Sequence, residues 1–405
     1  MKHLKGTGNV EFSVKLKEVQ DSLIQQNIEG WLLYDYRGSN PLAYTFLEIP
    51  SGIFLSRRFF YWIPKEGNPI KIVPQIEPYT LDHLPGDKWL YRTWQELEKY
   101  LFSIAIENAQ IAMEYSPNNS IPVISKVDAG TVDMIRKSGS QVVSSANLLQ
   151  KYTSVWTGDQ LKSHLLAEKV LCNVVDSTWE FISEKMKQGF PLTEYLVQQF
   201  MVDEIHKHGC IMDHHPICAV NANSANPHYA PHEATSSTIK PGDFILIDLW
   251  CKRDNEKAVY ADISRVGVLG SKPTEQQQKI FEIVKEARDR ATLFIKEHFE
   301  NDKEIQGWQV DQVCRDFITE SGYGEYFIHR TGHNIGEEVH GPGANIDNYE
   351  THDFRILLPG TCFSIEPGIY IPEQFGVRLE YDVYLDFSKG IKITGGIQKE
   401  IFCII

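Results

Sequence analysis

Four carboxylates stand where this chain would otherwise place apolar side chains. Asp248 interrupts FILIDLW, an apolar run of strand character. Asp262 opens the strand DISRVGVL, and Glu366 interrupts CFSIEPGIYI, a second apolar strand that turns at Pro367–Gly368. Glu380 lies in GVRLEYDVYL, where Val377, Leu379, Tyr381 and Val383 alternate with Arg378, Glu380 and Asp382, so the second set is expected to share one charge-dense face. A single strand acid is ordinarily solvent-facing or salt-bridged. Buried without a partner, each costs on the order of several kcal/mol. Arg265 and Arg378 can neutralise two of them, whereas a dication can serve the whole set.

His333 adds a nitrogen donor. It sits in HRTGHNIGEEVHGPG, a glycine-rich loop in which Gly332 and Gly336 are expected to let the backbone pass close to a ligand. Four carboxylates and one imidazole are too rich in oxygen for a structural zinc site, which favours Cys and His. The set has the composition of a two-metal hydrolytic site, in which carboxylates bridge cations ~3.5–4 Å apart. Ligand hardness places Mn²⁺ first, with Co²⁺, Fe²⁺ or Zn²⁺ as alternatives.

Composition narrows the class further. The 405 residues are 42% hydrophobic and carry a net charge of −14, which suits a globular chain of more than one domain and argues against nucleic acid or an anionic membrane as partner. No apolar run is long enough for a transmembrane helix, and MKHLKGTGNVEFSVK lacks the apolar stretch of a secretory signal. Seven scattered cysteines fit a reducing cytoplasm better than a disulfide framework.

The first half alternates short helices and strands in α/β fashion, and the segment Gln150–Trp156 is the expected boundary. Residues 1–156 are thus read as a smaller α/β domain and 157–405 as an α+β domain of long helices and strand-rich blocks. In the second, HKHGCIMDHHPIC has no repeating metal framework; it reads as a helix end, a loop with His214 and His215 at the mouth of the site, and a strand. Cys251 reads as a buried core thiol.

The ordered blocks NPHYAP, PGDFILIDLW, ADISR, HRTGHNIGEEVH, PGTCFSIEPGIY and FGVRLEYDVYL resemble the M24 metallopeptidase family, in its Xaa-Pro aminopeptidase and prolidase branch. The resemblance implies a pita-bread catalytic domain at 157–405 preceded by a creatinase-like N-terminal domain at 1–156. It implies two divalent metal ions on Asp248, Asp262, His333, Glu366 and Glu380, with Asp262 and Glu380 bridging. By the same resemblance His228, His340 and Glu366 are catalytic, and His329, Arg378 and His228 contact substrate. The implied reaction is hydrolysis of the Xaa-Pro bond of a dipeptide or peptide N-terminus by a hydroxide held between the metals, in a cytoplasmic homodimer. A metal-independent creatinase-type amidinohydrolase and a non-catalytic peptide-binding module are the alternatives on the same scaffold.

Two positions depart from the family pattern. Asp248 and Asp262 are 14 residues apart, longer than usual; the polar KRDNEK insertion either bulges out as a longer hairpin or shifts register and turns Asp262 to the wrong face. Gly341 follows His340 where an acid is common.

Overall fold

In a computed structural model of the chain, the described residues are 8–50, 53 and 55–405, with side chains described from Phe12 onward. The first seven of the residues read for a signal segment lie outside them. Residue contacts divide the chain into two compact units, Met1–Thr153 and Ser154–Ile405. No helix among the described residues is long and apolar enough to cross a membrane.

The first unit is built on a mixed six-stranded sheet. Its strands lie in the order Asp87–Tyr91, Ile70–Pro74, Phe59–Pro64, Gly30–Asp35, Gln110–Met113, Gln141–Ser144. Helices start where the side chains supply caps: Thr93 accepts from the Glu96 amide and Asp128 from the Thr131 amide. One buried acid, Glu114, is fully satisfied by Trp31, Asn40 and Ser145.

The second unit is organised by the antiparallel pair Phe244–Arg253 and Ala261–Leu269, in which Asp248 faces Ser264 and Trp250 faces Asp262. Side chains alternate across a strand, and here the alternation separates two cores. Ile245, Ile247, Leu249, Cys251, Ala261 and Ile263 pack in the core that contains the helices Gly158–Lys187 and Glu194–Lys207. Phe244, Leu246, Val266 and Val268 face the other way, into a core shared with Glu275–Phe299 and Gly307–Glu320. Asp248, Trp250, Ser264 and Asp262 continue that second face beyond its apolar part. Lys252 and Arg253 of KRDNEK extend the first strand and pair with Ile211 and Cys210, and its other residues lie in the turn, so Asp262 keeps Asp248's face.

Two expected strands are each broken at an acid. CFSIEPGIYI is the strand Cys362–Ile365 of a four-stranded sheet followed by Gly368–Ile371 of a separate hairpin, with Glu366 at the joint. GVRLEYDVYL likewise splits into Phe375–Arg378 and Tyr381–Leu385. The alternation read across it does not run through the break. Arg378 and Glu380 reach one cavity, whereas Asp382 lies behind it, accepting from the Asp262 amide at 3.0 Å.

Among the described residues Arg265 makes no direct ion pair with a carboxylate. Its guanidinium is buried and donates to the carbonyls of Ser264 (2.8 Å), Glu380 (2.6 Å), Gly395 and Gly396 (2.9 Å). It thus ties the backbone of Glu380 to the strand that carries Asp262. Arg265→Met leaves the Glu380 carbonyl without its donor, at about 1–3 kcal/mol, while Ser264 O keeps the Glu380 amide at 3.4 Å and Gly395 O keeps Cys172 Sγ at 3.2 Å. Urea unfolding is expected to show a loss of about 1–3 kcal/mol, with weaker metal binding in the variant that remains folded.

Candidate metal centre and active site

All five sequence-predicted ligands line one cavity of about 250 Å³, together with His228, His340 and Arg378. Asp248 and Asp262 come from the central strand pair. His333 comes from the loop that opens the short strand Asn334–Ile335, and Glu366 and Glu380 from the two strand breaks. His333 and Glu366 are locked together through backbone: the Ser364 amide donates to His333 O at 2.9 Å and the Glu366 amide to Thr331 O at 2.8 Å. Gly332 makes this possible, but for a reason other than ligand approach. A Cβ there would lie 1.9 Å from Ser364 O, while one at Gly336 would meet only ordinary contacts. Gly341 is explained the same way, since its Cβ would sit 2.4 Å from Asn334 Oδ1, where the Gly343 amide donates.

The donor set fits divalent metal. Asp262, His333 and Glu380 each place a ligand atom within 4.8 Å of the others. Asp262 Oδ1 and Glu380 Oε1 are buried and have no hydrogen-bond partner among the described residues. His333 Nδ1 faces the Asn334 carbonyl at 3.3 Å and so carries the ring proton. The lone pair on Nε2 then points at Glu366 Oε1 (3.3 Å) and Asp262 Oδ2 (3.6 Å). Acceptors facing acceptors in a dry site call for a cation or protons between them.

The titration behaviour has the same cause. Burial, then repulsion from neighbouring acids, raises Asp262 and Glu380 well above the ordinary carboxylate range. Burial lifts Glu366 to about 7, against a lowering effect of Arg378. Burial and the adjacent His340 hold His333 well below its usual value, so it stays neutral. The ring of His340 meets that of His333 edge-on at 4.3 Å.

Asp248 has protein partners on both of its oxygens. Arg378 Nη2 lies 2.5 Å from its Oδ2, and Ser264 Oγ is 2.7 Å from its Oδ1. Ser264 Oγ is also 2.7 Å from Glu380 Oε2 and accepts from Arg378 Nε at 2.8 Å, so one hydroxyl links three site residues. His329 does not line the cavity. Its Nδ1 donates to Arg330 O at 2.6 Å, leaving Nε2 to accept from Tyr370 OH at 2.8 Å. Arg378 Nη1 donates to that same hydroxyl at 3.1 Å. His329 therefore acts on the site through Tyr370 and Arg378. Of the two mouth histidines, His214 lines the cavity and His215 is exposed outside its lining.

Ser264, Tyr370, Trp250 and Asp213 are site residues the sequence reading passed over. Ser264 was findable, since it lies two residues from Asp262 and shares its face. Tyr370 and Asp213 are brought in by contacts between distant segments and leave no local signal.

This chain matches the model of metallopeptidase family M24 over residues 162–386 and belongs to that family. It is 40% identical over 164 residues to an Xaa-Pro dipeptidase of Lactobacillus helveticus, covering 40% of each chain. It is 37% identical over 185 residues to an Xaa-Pro dipeptidase of Pyrococcus furiosus, covering 46% of this chain and 48% of that one. These matches span about two-fifths to one half of the relatives' length. A solved prolidase from Thermococcus sibiricus superposes with a TM-score of 0.61 at 25% identity, covering 96% of this chain and 98% of that one. The α+β architecture is thus the pita-bread fold with an N-terminal domain before it.

A raised folded-state carboxyl is stabilising while protonated and loses that contribution as pH rises through its folded value. For Glu366 the window runs from 4.5, its ordinary value, to about 7, and Asp262 and Glu380 act in the same direction. The metal-free protein is therefore expected to melt at progressively lower temperature as pH rises through that window. Added divalent metal should raise the melting temperature more at pH 7.5 than at pH 5; calorimetric scans across pH measure both. Ser264→Ala is expected to weaken metal affinity by about 10–100-fold, measured by competition with a chelating indicator.

Proposed function

We propose that the chain is a dinuclear metal-dependent Xaa-Pro peptidase, with its catalytic domain at 157–405 after a creatinase-like domain at 1–156. The observation that carries this reading is the convergence of Asp248, Asp262, His333, Glu366 and Glu380 on one cavity, with Asp262 Oδ1 and Glu380 Oε1 buried and without donors among the described residues. The family membership and the Xaa-Pro dipeptidases among its relatives support it.

Those five residues would hold two divalent cations, Mn²⁺ first by ligand hardness. When bound, the cations supply Lewis acidity that activates water and polarises a carbonyl. Glu366 would take up a proton at its carboxylate and pass it on. His340 and His228 line the same cavity and offer ring N–H donors to the oxyanion that develops on the carbonyl. Arg378 matches the carboxylate at the C-terminus of a proline dipeptide, and His329 holds it in place through Tyr370. Seven free cysteines suit a cytoplasmic enzyme, and a homodimer is the assembly implied by the family resemblance.

The test is hydrolysis of Ala-Pro, Leu-Pro and longer Xaa-Pro peptides, side by side, by Mn²⁺-loaded protein. Glu380→Gln is expected to lower kcat by about a hundredfold or more. Full activity of rigorously metal-free protein, or hydrolysis of creatine in place of proline peptides, would overturn the reading.

A further inference from the structure

Assigning the ligands leaves one acid lining the cavity without a role, Asp213. An irregularity in the sheet puts it there. Ile211 pairs with Lys252, and Ile217 pairs with Asp248. The segment from 211 to 217 is therefore two residues longer than the stretch of strand it faces, and the excess loops out toward the cavity. Asp213 and His214 occupy this excursion.

Asp213 is held but not covered. Its Oδ1 accepts from the Trp250 indole at 2.8 Å, and its Oδ2 lies 3.3 Å from His214 Nδ1. Trp250 stands on the same face as Asp248, two residues along the strand, a step of ~7 Å. The Asp213 side chain is nonetheless 42% exposed. Burial pushes its carboxyl up, but the hydrogen bonds from Trp250 and His214 outweigh this and keep it below the usual range, hence ionised. Fixing an indole N–H requires only a neutral acceptor. A full charge on a side chain that lines the cavity and stays partly exposed does more than that.

The charge balance indicates what it meets. Two dications would offset Asp248, Asp262, Glu366 and Glu380, and Arg378 would meet the C-terminal carboxylate of the proposed substrate, which leaves Asp213 as the remaining carboxylate of the lining among the described residues. The complement is a cation on the substrate. An α-ammonium lies two bonds of ~1.5 Å each from the carbonyl carbon of its own residue, and it is largely charged at pH 7, with a pKa of about 7.7–8.0. We propose that Asp213 is a specificity-determining residue that binds the α-ammonium group of the substrate's first residue and so restricts cleavage to peptides with a free N-terminus. The proposal rests on reading the site as an Xaa-Pro peptidase.

Three measurements on metal-loaded protein test it. For Ala-Pro, Asp213→Asn should raise KM by about ten- to a hundredfold, the loss of one charge-assisted hydrogen bond, with kcat little changed. Asp213→Glu should recover much of the loss. Propionyl-proline, which lacks the ammonium group, should be a poor substrate for wild type and be handled equally by Asp213→Asn. Calorimetry gives a readout without turnover: wild type should bind L-alanine more tightly than propionate, and Asp213→Asn should shrink the difference. If wild type cleaves Ala-Pro and Asp213→Asn has the same KM, the proposal is wrong while the Xaa-Pro reading stands. If wild type cleaves no proline dipeptide, the Xaa-Pro reading fails. The alanine–propionate comparison then decides on ammonium binding alone, an unchanged difference in Asp213→Asn overturning it.

Discussion

Two buried carboxylate oxygens without donors, Asp262 Oδ1 and Glu380 Oε1, set the terms for the rest of the second unit. Oxygen atoms in that condition are expensive in a dry interior, and every nearby element is arranged to keep them together. The strand pair Phe244–Arg253 and Ala261–Leu269 places Asp248 and Asp262 on one face. Arg265 anchors the backbone of Glu380 to the same pair. Ser264 spans Asp248, Glu380 and Arg378. The site is thus carried by strands and strand ends, which hold geometry better than free loops.

The surrounding packing gives that geometry its stiffness. One face of the central pair is apolar apart from Arg253 and Arg265, and the opposite face changes from apolar to acidic at Asp248. The change falls where the strand leaves the core that holds Phe244 and Leu246. Around the acids a further layer fixes orientation: His329 through Tyr370 onto Arg378, and Asp382 onto the Asp262 amide. Such supporting contacts tune metal affinity as strongly as they tune position.

Much of this was legible in the sequence, for a physical reason. An acid inside an apolar strand is costly enough to be conspicuous, so Asp248, Asp262, Glu366 and Glu380 stand out one by one, and His333 by its glycine-rich setting. Alternation also places Asp248 and Asp262 on one face once the pairing is known. It misleads at Glu366 and Glu380, because strand breaks leave no mark in a run of apolar residues. Asp382 accordingly read as sharing a face with Arg378 and Glu380, although it lies behind the cavity. Arg265 read as a counter-charge, but sequence cannot distinguish a guanidinium that meets carboxylates from one that meets carbonyls. Tyr370 and Asp213 depend on which loops close over the strands, and on a two-residue excess in one of them, which only the assembled sheet reveals.

The central claim is that these acceptors are built around a pair of cations. Equilibrium dialysis of metal-free protein against Mn²⁺ at pH 7.5, followed by elemental analysis, tests it most directly. The expected result is about two ions per chain in the wild type, with fewer in Asp262→Asn. Binding of no ion, or equal binding by wild type and Asp262→Asn, would contradict it.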